Sequence, residues 1–335
     1  MIKAAPEWVV AGVLLVITLN FRWILHAPLQ LPSISQFSVM GEIFLIPMLG
    51  LCLWVLLPIL LNPKGDPELV RKLGRQAGDA LCFGLVLTLH FQIKLWIPLL
   101  RSTTYDSIYE ATDRFFFSWL NPLIAWRSRW PQNHWIDGLY FEVFFWIFLV
   151  SFIAHNQRSR SEFRRVFLAV LLMFALGANL YLVAPALGPF LYHPSANALI
   201  GDVQRYMYGI RKSELAGGVI WLRANSGRYL TCGLAAMPSL HAAGSFIFLY
   251  YAWRYVRPLA WVYGPIFIWI LFAAMASRWH YGIDLVAGIA LACGCIALSD
   301  WWMSAHEAAA RRALQDAEQP VIDESLPEDM TVTAR

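Results

Sequence analysis

Charge is scarce in this chain. Only 14% of its 335 residues are Asp, Glu, Lys or Arg, against about 25% in an ordinary soluble domain. With 59% hydrophobic residues and a mean hydropathy of +0.52, the composition is that of an integral membrane protein. Cysteine is sparse too. The five cysteines, Cys52, Cys82, Cys232, Cys293 and Cys295, lie mostly inside apolar runs and form no Cys-x-x-Cys pair, so neither a disulfide framework nor a zinc site is indicated. His-x-x-x-His and His-x-x-His-His are absent, which removes the ligands of a di-iron desaturase. The net charge of +4 is small and its arginines are scattered between apolar runs, a distribution that suits membrane orientation and not nucleic acid. No polar stretch is long enough for a second soluble domain, and no internal repeat is found. The N-terminal apolar run has no small-residue cleavage site at its end, Asn20 to His26, and reads as a retained helix, not a signal peptide.

What is present is a succession of apolar segments. Spans of about 20 residues are placed near 8–26, 38–61, 76–100, 137–155, 163–185, 237–255, 259–277 and 281–303. The expectation is an all-α, polytopic transmembrane bundle of about eight helices. One domain, 1–305, has a motif-bearing core at about 137–303. It is followed by a charged tail, 306–335, helical from Glu307 to Glu318 and then acidic and disordered. Two long connections, 101–136 and 186–236, are rich in Trp, Tyr, Arg and Pro and read as interfacial caps. Lys64, Arg71 and Lys72, then Arg158, Arg160, Arg164 and Arg165, then Arg254 and Arg257, then Arg311 and Arg312 fall on one side of such a bundle. Excess Lys and Arg marks the cytoplasmic side, so both termini are expected there. Both long loops and the starts of the sixth and eighth spans are expected on the extracytoplasmic face.

Two short segments begin those spans, Pro238-Ser239-Leu240-His241-Ala242-Ala243 and His280-Tyr281-Gly282-Ile283-Asp284. Ser239 after Pro238 is a candidate N-cap, which puts His241 in a first helical turn where free N–H groups favour an anion. His280 and Asp284 are four apart, so on a helix the carboxylate can take the Nδ1 proton and leave Nε2 as nucleophile or base. Phosphoryl transfer needs an in-line attacker, an acid for the leaving oxygen and cations for the remaining oxygens. His280, His241 and an arginine supply that set. Arg278 is the first candidate for the cation, with Arg223 and Arg228 behind it. His26, His134, His155, His193 and His306 read as interfacial or satisfied polar residues. Glu42, Asp79, His90 and Lys94 are ionisable residues inside spans and so are noted, with interhelical hydrogen bonding or snorkelling as their simpler explanation.

Pro238-Ser239-Leu240-His241 and Ser277-Arg278-Trp279-His280-Tyr281-Gly282-Ile283-Asp284 resemble the second and third signature motifs of the type-2 phosphatidic acid phosphatase superfamily. The branch they look most like is the inositolphosphorylceramide synthase group, with its Pro-Ser-Leu-His-Ala-Ala and His-Tyr-x-x-Asp-x-x-x-Gly forms. Tyr181 to Pro189 also resembles the Tyr- and Pro-containing segment before the long loop of that branch, which makes Tyr181 a substrate-binding candidate beside Ser239. The resemblance implies that His280 attacks phosphorus, Asp284 supports it and His241 protonates the leaving oxygen, with no metal and no cofactor. The classical first motif, Lys with Arg-Pro seven residues later, is not found. Arg278 stands closer to His280 than the classical third motif places its arginine.

The expected activity is a phosphotransferase acting on a phospholipid or other lipid phosphate at the extracytoplasmic face of the cell membrane. A lipid phosphatase, with water as acceptor, uses the same groups. A lipid or proton-coupled transporter is the alternative from a different class, since it too would carry polar residues inside spans. Oligomeric state is not readable from the sequence.

Overall fold

The computed structural model describes residues 5–31, 67–130, 134–225 and 227–318. Within them the chain forms ten α-helices and three short 3-10 turns, with no strand. The expected second span, 38–61, and Glu42 lie outside the described residues. In chain order the helices are α1 (Pro6–Leu25), α2 (Pro67–Leu100), α3 (Asp106–Phe116), α4 (Asn121–Ser128), α5 (His134–Arg158), α6 (Arg160–Val183), α7 (Ala198–Asn225), α8 (Leu240–Tyr255), α9 (Arg257–Ala276) and α10 (Gly282–Glu318). Six of these, α1, α2, α5, α6, α9 and α10, are long and apolar enough to cross a membrane.

α6 is the centre of the bundle. Its middle, Val166 to Met173, is almost wholly buried, and it packs against α1, α2, α5, α8 and α10. The short partner is α8, 16 residues from Leu240, where a full span was expected from 237. At 1.5 Å per residue it is about 24 Å long, less than the hydrocarbon layer of about 30 Å. Its packing against α6, α9 and α10 covers a helix that short, and His241 stands in its first turn.

The two long connections are helical, not irregular. The first holds α3 and α4, and the second holds α7, a 28-residue helix broken at Gly218. α7 buries one stripe, Gln204, Met207, Ile210, Arg211 and Glu214, at the three-to-four spacing of an amphipathic helix lying on a surface. Gln204 donates to the Ser277 carbonyl (2.9 Å) and Arg211 to that of Ser102 (3.3 Å). α7 therefore roofs the end of the bundle where α2 ends and α9 turns into α10.

The opposite end is tied by ion pairs. Arg164 bonds Glu7 of α1 at 2.6 and 2.9 Å, Arg165 bonds Glu307 of α10 at 2.8 Å, and Arg254 bonds Asp300. Asp79 of α2 takes both guanidinium nitrogens of Arg160, one at 2.8 Å, and His90 Nδ1 lies 2.9 Å from the Phe174 carbonyl of α6. Both noted residues thus make interhelical bonds. α10 runs unbroken to Glu318, so the charged stretch after His306 continues the last span. Residues 319–335 lie outside the described residues.

Candidate active site

The two histidine segments meet beneath the roof. The Ser239 N–H donates to the Asp284 carbonyl at 3.0 Å, joining the first segment to the second through backbone. A Cβ on Gly288 would stand 2.3 Å from the Ser239 carbonyl oxygen, so only glycine lets α10 come this near. The Ser239 hydroxyl accepts from the Ala242 N–H at 3.4 Å and is fully buried: it caps α8 as its sequence position suggests.

That contact brings the His241 and His280 rings to 6.2 Å between centroids, nearly edge to face. His241 is packed by Tyr140, Phe144 and Phe141 at 4.7, 4.3 and 5.8 Å. His280 is 8% exposed, and its Nδ1 lies 3.4 Å from Asp284 Oδ2 without forming a hydrogen bond, a spacing that candidate acid–base pairs commonly show before substrate binds. Asp284 is fully buried and accepts the Tyr281 N–H at 2.9 Å, which fixes the carboxylate on the Nδ1 side of the ring.

Arg278 occupies an unusual backbone position. α9 ends in a Schellman motif, with Trp279 N–H donating to the Ala274 carbonyl (3.1 Å) and Arg278 N–H to that of Met275 (3.0 Å). The left-handed residue of this motif is usually glycine; here it is Arg278, at φ 63°. The Phe190 N–H on the Arg278 carbonyl (3.2 Å) and Gln204 on that of Ser277 (2.9 Å) hold it there. Burial lowers the guanidinium pKa from its usual value, while Glu110 opposes the shift. Among the described residues its side chain has no ion-pair partner. Arg278 thus combines a left-handed backbone with a guanidinium that carries no ion pair.

The remaining expected residues lie at different distances from the pair. Tyr181 is buried in α6, its ring 5.8 Å from that of His90 and 5.6 Å from Lys94 Nζ. Arg223 donates to the His26 carbonyl at 3.1 Å and Arg228 lies over the Tyr229 ring at 5.4 Å. Neither arginine is hydrogen-bonded to the histidines.

Several residues emerge only from the structure. Asp106 of α3 accepts the N–H groups of Leu187 (2.9 Å) and Gly188 (2.9 Å) and the Tyr281 hydroxyl (3.2 Å). Asp113 accepts those of Gly282 (2.7 Å) and Ile283 (3.2 Å), capping the start of α10 from another helix. Burial pushes the Asp113 carboxyl up to about 6, against the pull of those two N–H groups. Glu110 pairs with Arg114 (3.0 Å) and His193 (2.9 Å) on an open cleft of about 510 Å³ that Tyr192 and Phe115 also line. Lys94 of α2, already noted in the sequence, stands over the Tyr181 ring. Lys94 and Arg101 stand seven residues apart, with Ser102 following.

No curated protein and no solved structure matches the chain. A family model of the PAP2 superfamily matches residues 106–298, from the first residue of α3 through both histidine segments and most of the apolar part of α10, with Lys94 and Arg101 outside that stretch. Covering more than half of its length, that match makes the chain a member of the PAP2 superfamily, whose members are phosphatases or phosphotransferases acting on phosphate esters.

Proposed function

We propose that the chain is a membrane-embedded phosphotransferase that moves the phosphoryl group of a lipid headgroup through a phosphohistidine on His280, without a metal, at the extracytoplasmic face. The observation that supports this reading is the Ser239 to Asp284 backbone bond, because it joins the segments that carry His241, His280 and Asp284. His280 Nε2 attacks phosphorus while Asp284 holds the Nδ1 proton and stabilises the imidazolium that develops. The ester P–O bond breaks as the N–P bond forms, and His241 gives its proton to the leaving oxygen. The ring spacing suits this division, since reacting atoms sit about 3–3.5 Å apart. Arg278 and Lys94 are the cations proposed for the oxygens that take no part in bond making. In the second half an acceptor hydroxyl attacks the phosphohistidine, its proton returns to His241, and the N–P bond breaks.

Water in place of that hydroxyl gives a phosphatase. Transfer is favoured by the roof: α7, with its stripe buried against the site, limits water. The His-Tyr-x-x-Asp segment also resembles the inositolphosphorylceramide synthase branch. The experiment is turnover of phosphate-labelled phospholipid by purified protein in mixed lipids with EDTA. Label in a new lipid supports transfer, free phosphate means a phosphatase, and no turnover by wild type in any lipid mixture would favour transport.

A further inference from the structure

A second concave site lies at the end of the bundle opposite the histidines. Where α2 passes the junction of α5 and α6, a cleft of about 370 Å³ is lined by Lys72, Arg75, Gln76, Asn156 and Arg160. Every one of these side chains is a hydrogen-bond donor, and no carboxylate is among them. We propose that this cleft binds the phosphate-bearing headgroup of an anionic phospholipid in the leaflet away from the active site.

Height in the membrane is the first argument. α2 has 34 residues and is about 51 Å long, well beyond the hydrocarbon layer of about 30 Å. Apart from Lys94 near the other end, its charged residues, Glu68, Arg71, Lys72, Arg75 and Asp79, are in the N-terminal part. That part protrudes, and the Lys72 to Gln76 turn stands at headgroup level. Charge is the second argument. Arg160 is held in place and neutralised by its two-point pair with Asp79. Lys72 has no ion-pair partner among the described residues, and Arg75 reaches Glu68 only at 3.7 Å with both side chains at least half exposed, a weak pair. Among the described residues, Lys72 is therefore unpaired at the cleft and Arg75 only weakly compensated. Gln76 and Asn156 add neutral donors that match the remaining oxygens of a phosphate. Basic pockets between spans at headgroup level bind anionic headgroups by this combination.

The test uses the purified full chain in neutral phosphatidylcholine, with phosphatidylglycerol added. Readouts are the phosphatidylglycerol retained through delipidation, by native mass spectrometry, and the shift in Tm. Wild type is expected to retain the anionic lipid and to gain several degrees. The double variant Lys72→Gln/Arg75→Gln should lose both effects, and so should Asn156→Leu, which fills the cleft without changing charge. Arg71→Gln/Arg158→Gln removes the same charge from the same end but outside the cleft, and should behave as wild type. Equal losses in that control would replace the site by diffuse attraction and overturn the proposal. So would an unchanged response in both cleft variants, no preference for phosphatidylglycerol in wild type, or the same Tm shift from inorganic phosphate alone.

Discussion

Arg278 shows how backbone and chemistry oppose each other in this molecule. A non-glycine residue in the left-handed region costs about 1–2 kcal/mol, and the Schellman position it fills ordinarily belongs to glycine. Arg278→Gly is therefore expected to raise Tm while lowering kcat/KM for the lipid phosphate; a variant that gains stability and keeps its activity would remove the arginine from phosphate binding. His241→Asn should lower kcat by about 10²–10⁴-fold, the usual contribution of a general acid. It should do so least for substrates with good leaving groups, which need no proton. His280→Ala should lower turnover by at least about 10³-fold without unfolding the bundle, since its Nδ1 has no formed hydrogen bond to lose.

α3 and α7 hold the site from outside the membrane core. Asp113 of α3 supplies the cap of α10, and Asp113→Ala should cost about 0.5–2 kcal/mol, as helix caps do. It should also reduce turnover, because Gly282 and Ile283 anchor the turn between His280 and Asp284. On α7, Glu214 is 1% exposed with an unpartnered Oε1, and burial pushes its carboxyl up from 4.5 to about 8, with Arg211 opposing. The folded protein then binds this proton more tightly than the unfolded chain, so its contribution is full below pH 4.5 and is lost as pH rises through 8. Tm measured across that window should fall more steeply with pH in wild type than in Glu214→Gln; equal slopes would contradict it. These helices are also where sequence reading stops. The histidine segments are legible because the groups that act together are neighbours in sequence, joined by a cap and a four-residue spacing. Asp106 and Asp113 are not, since their partners are backbone N–H groups of residues 187, 188, 282 and 283, which leave no side-chain pattern. α3 and α7 themselves were hidden by Trp, Tyr, Arg and Pro, whose mixture reads as loop until the buried stripe of α7 is seen against its partners.

At the scale of the whole molecule, two ends have different work. One is a lattice of ion pairs among α1, α2, α6, α8 and α10. The other is a roofed site where Asp106 and Asp113 of α3 hold the backbone of 187–188 and 282–283 around two histidines. The separation was legible as a bias of Lys and Arg between spans, because lipid excludes charge from the middle. The short α8 was not, because hydropathy cannot register that neighbours cover a helix end. Under the proposed topology, a membrane-impermeant thiol reagent on intact cells should label Thr103→Cys and spare Arg158→Cys, in a chain cleared of other accessible cysteines. The reverse would invert the proposed topology. The most direct test of the central claim is to mix the protein with phosphate-labelled phospholipid, quench in alkali, where phosphohistidine survives, and map the label by mass spectrometry. The account predicts label on the peptide carrying His280, lost on acid treatment and absent from His280→Ala. Turnover with no covalent label, or label on another residue, would contradict it.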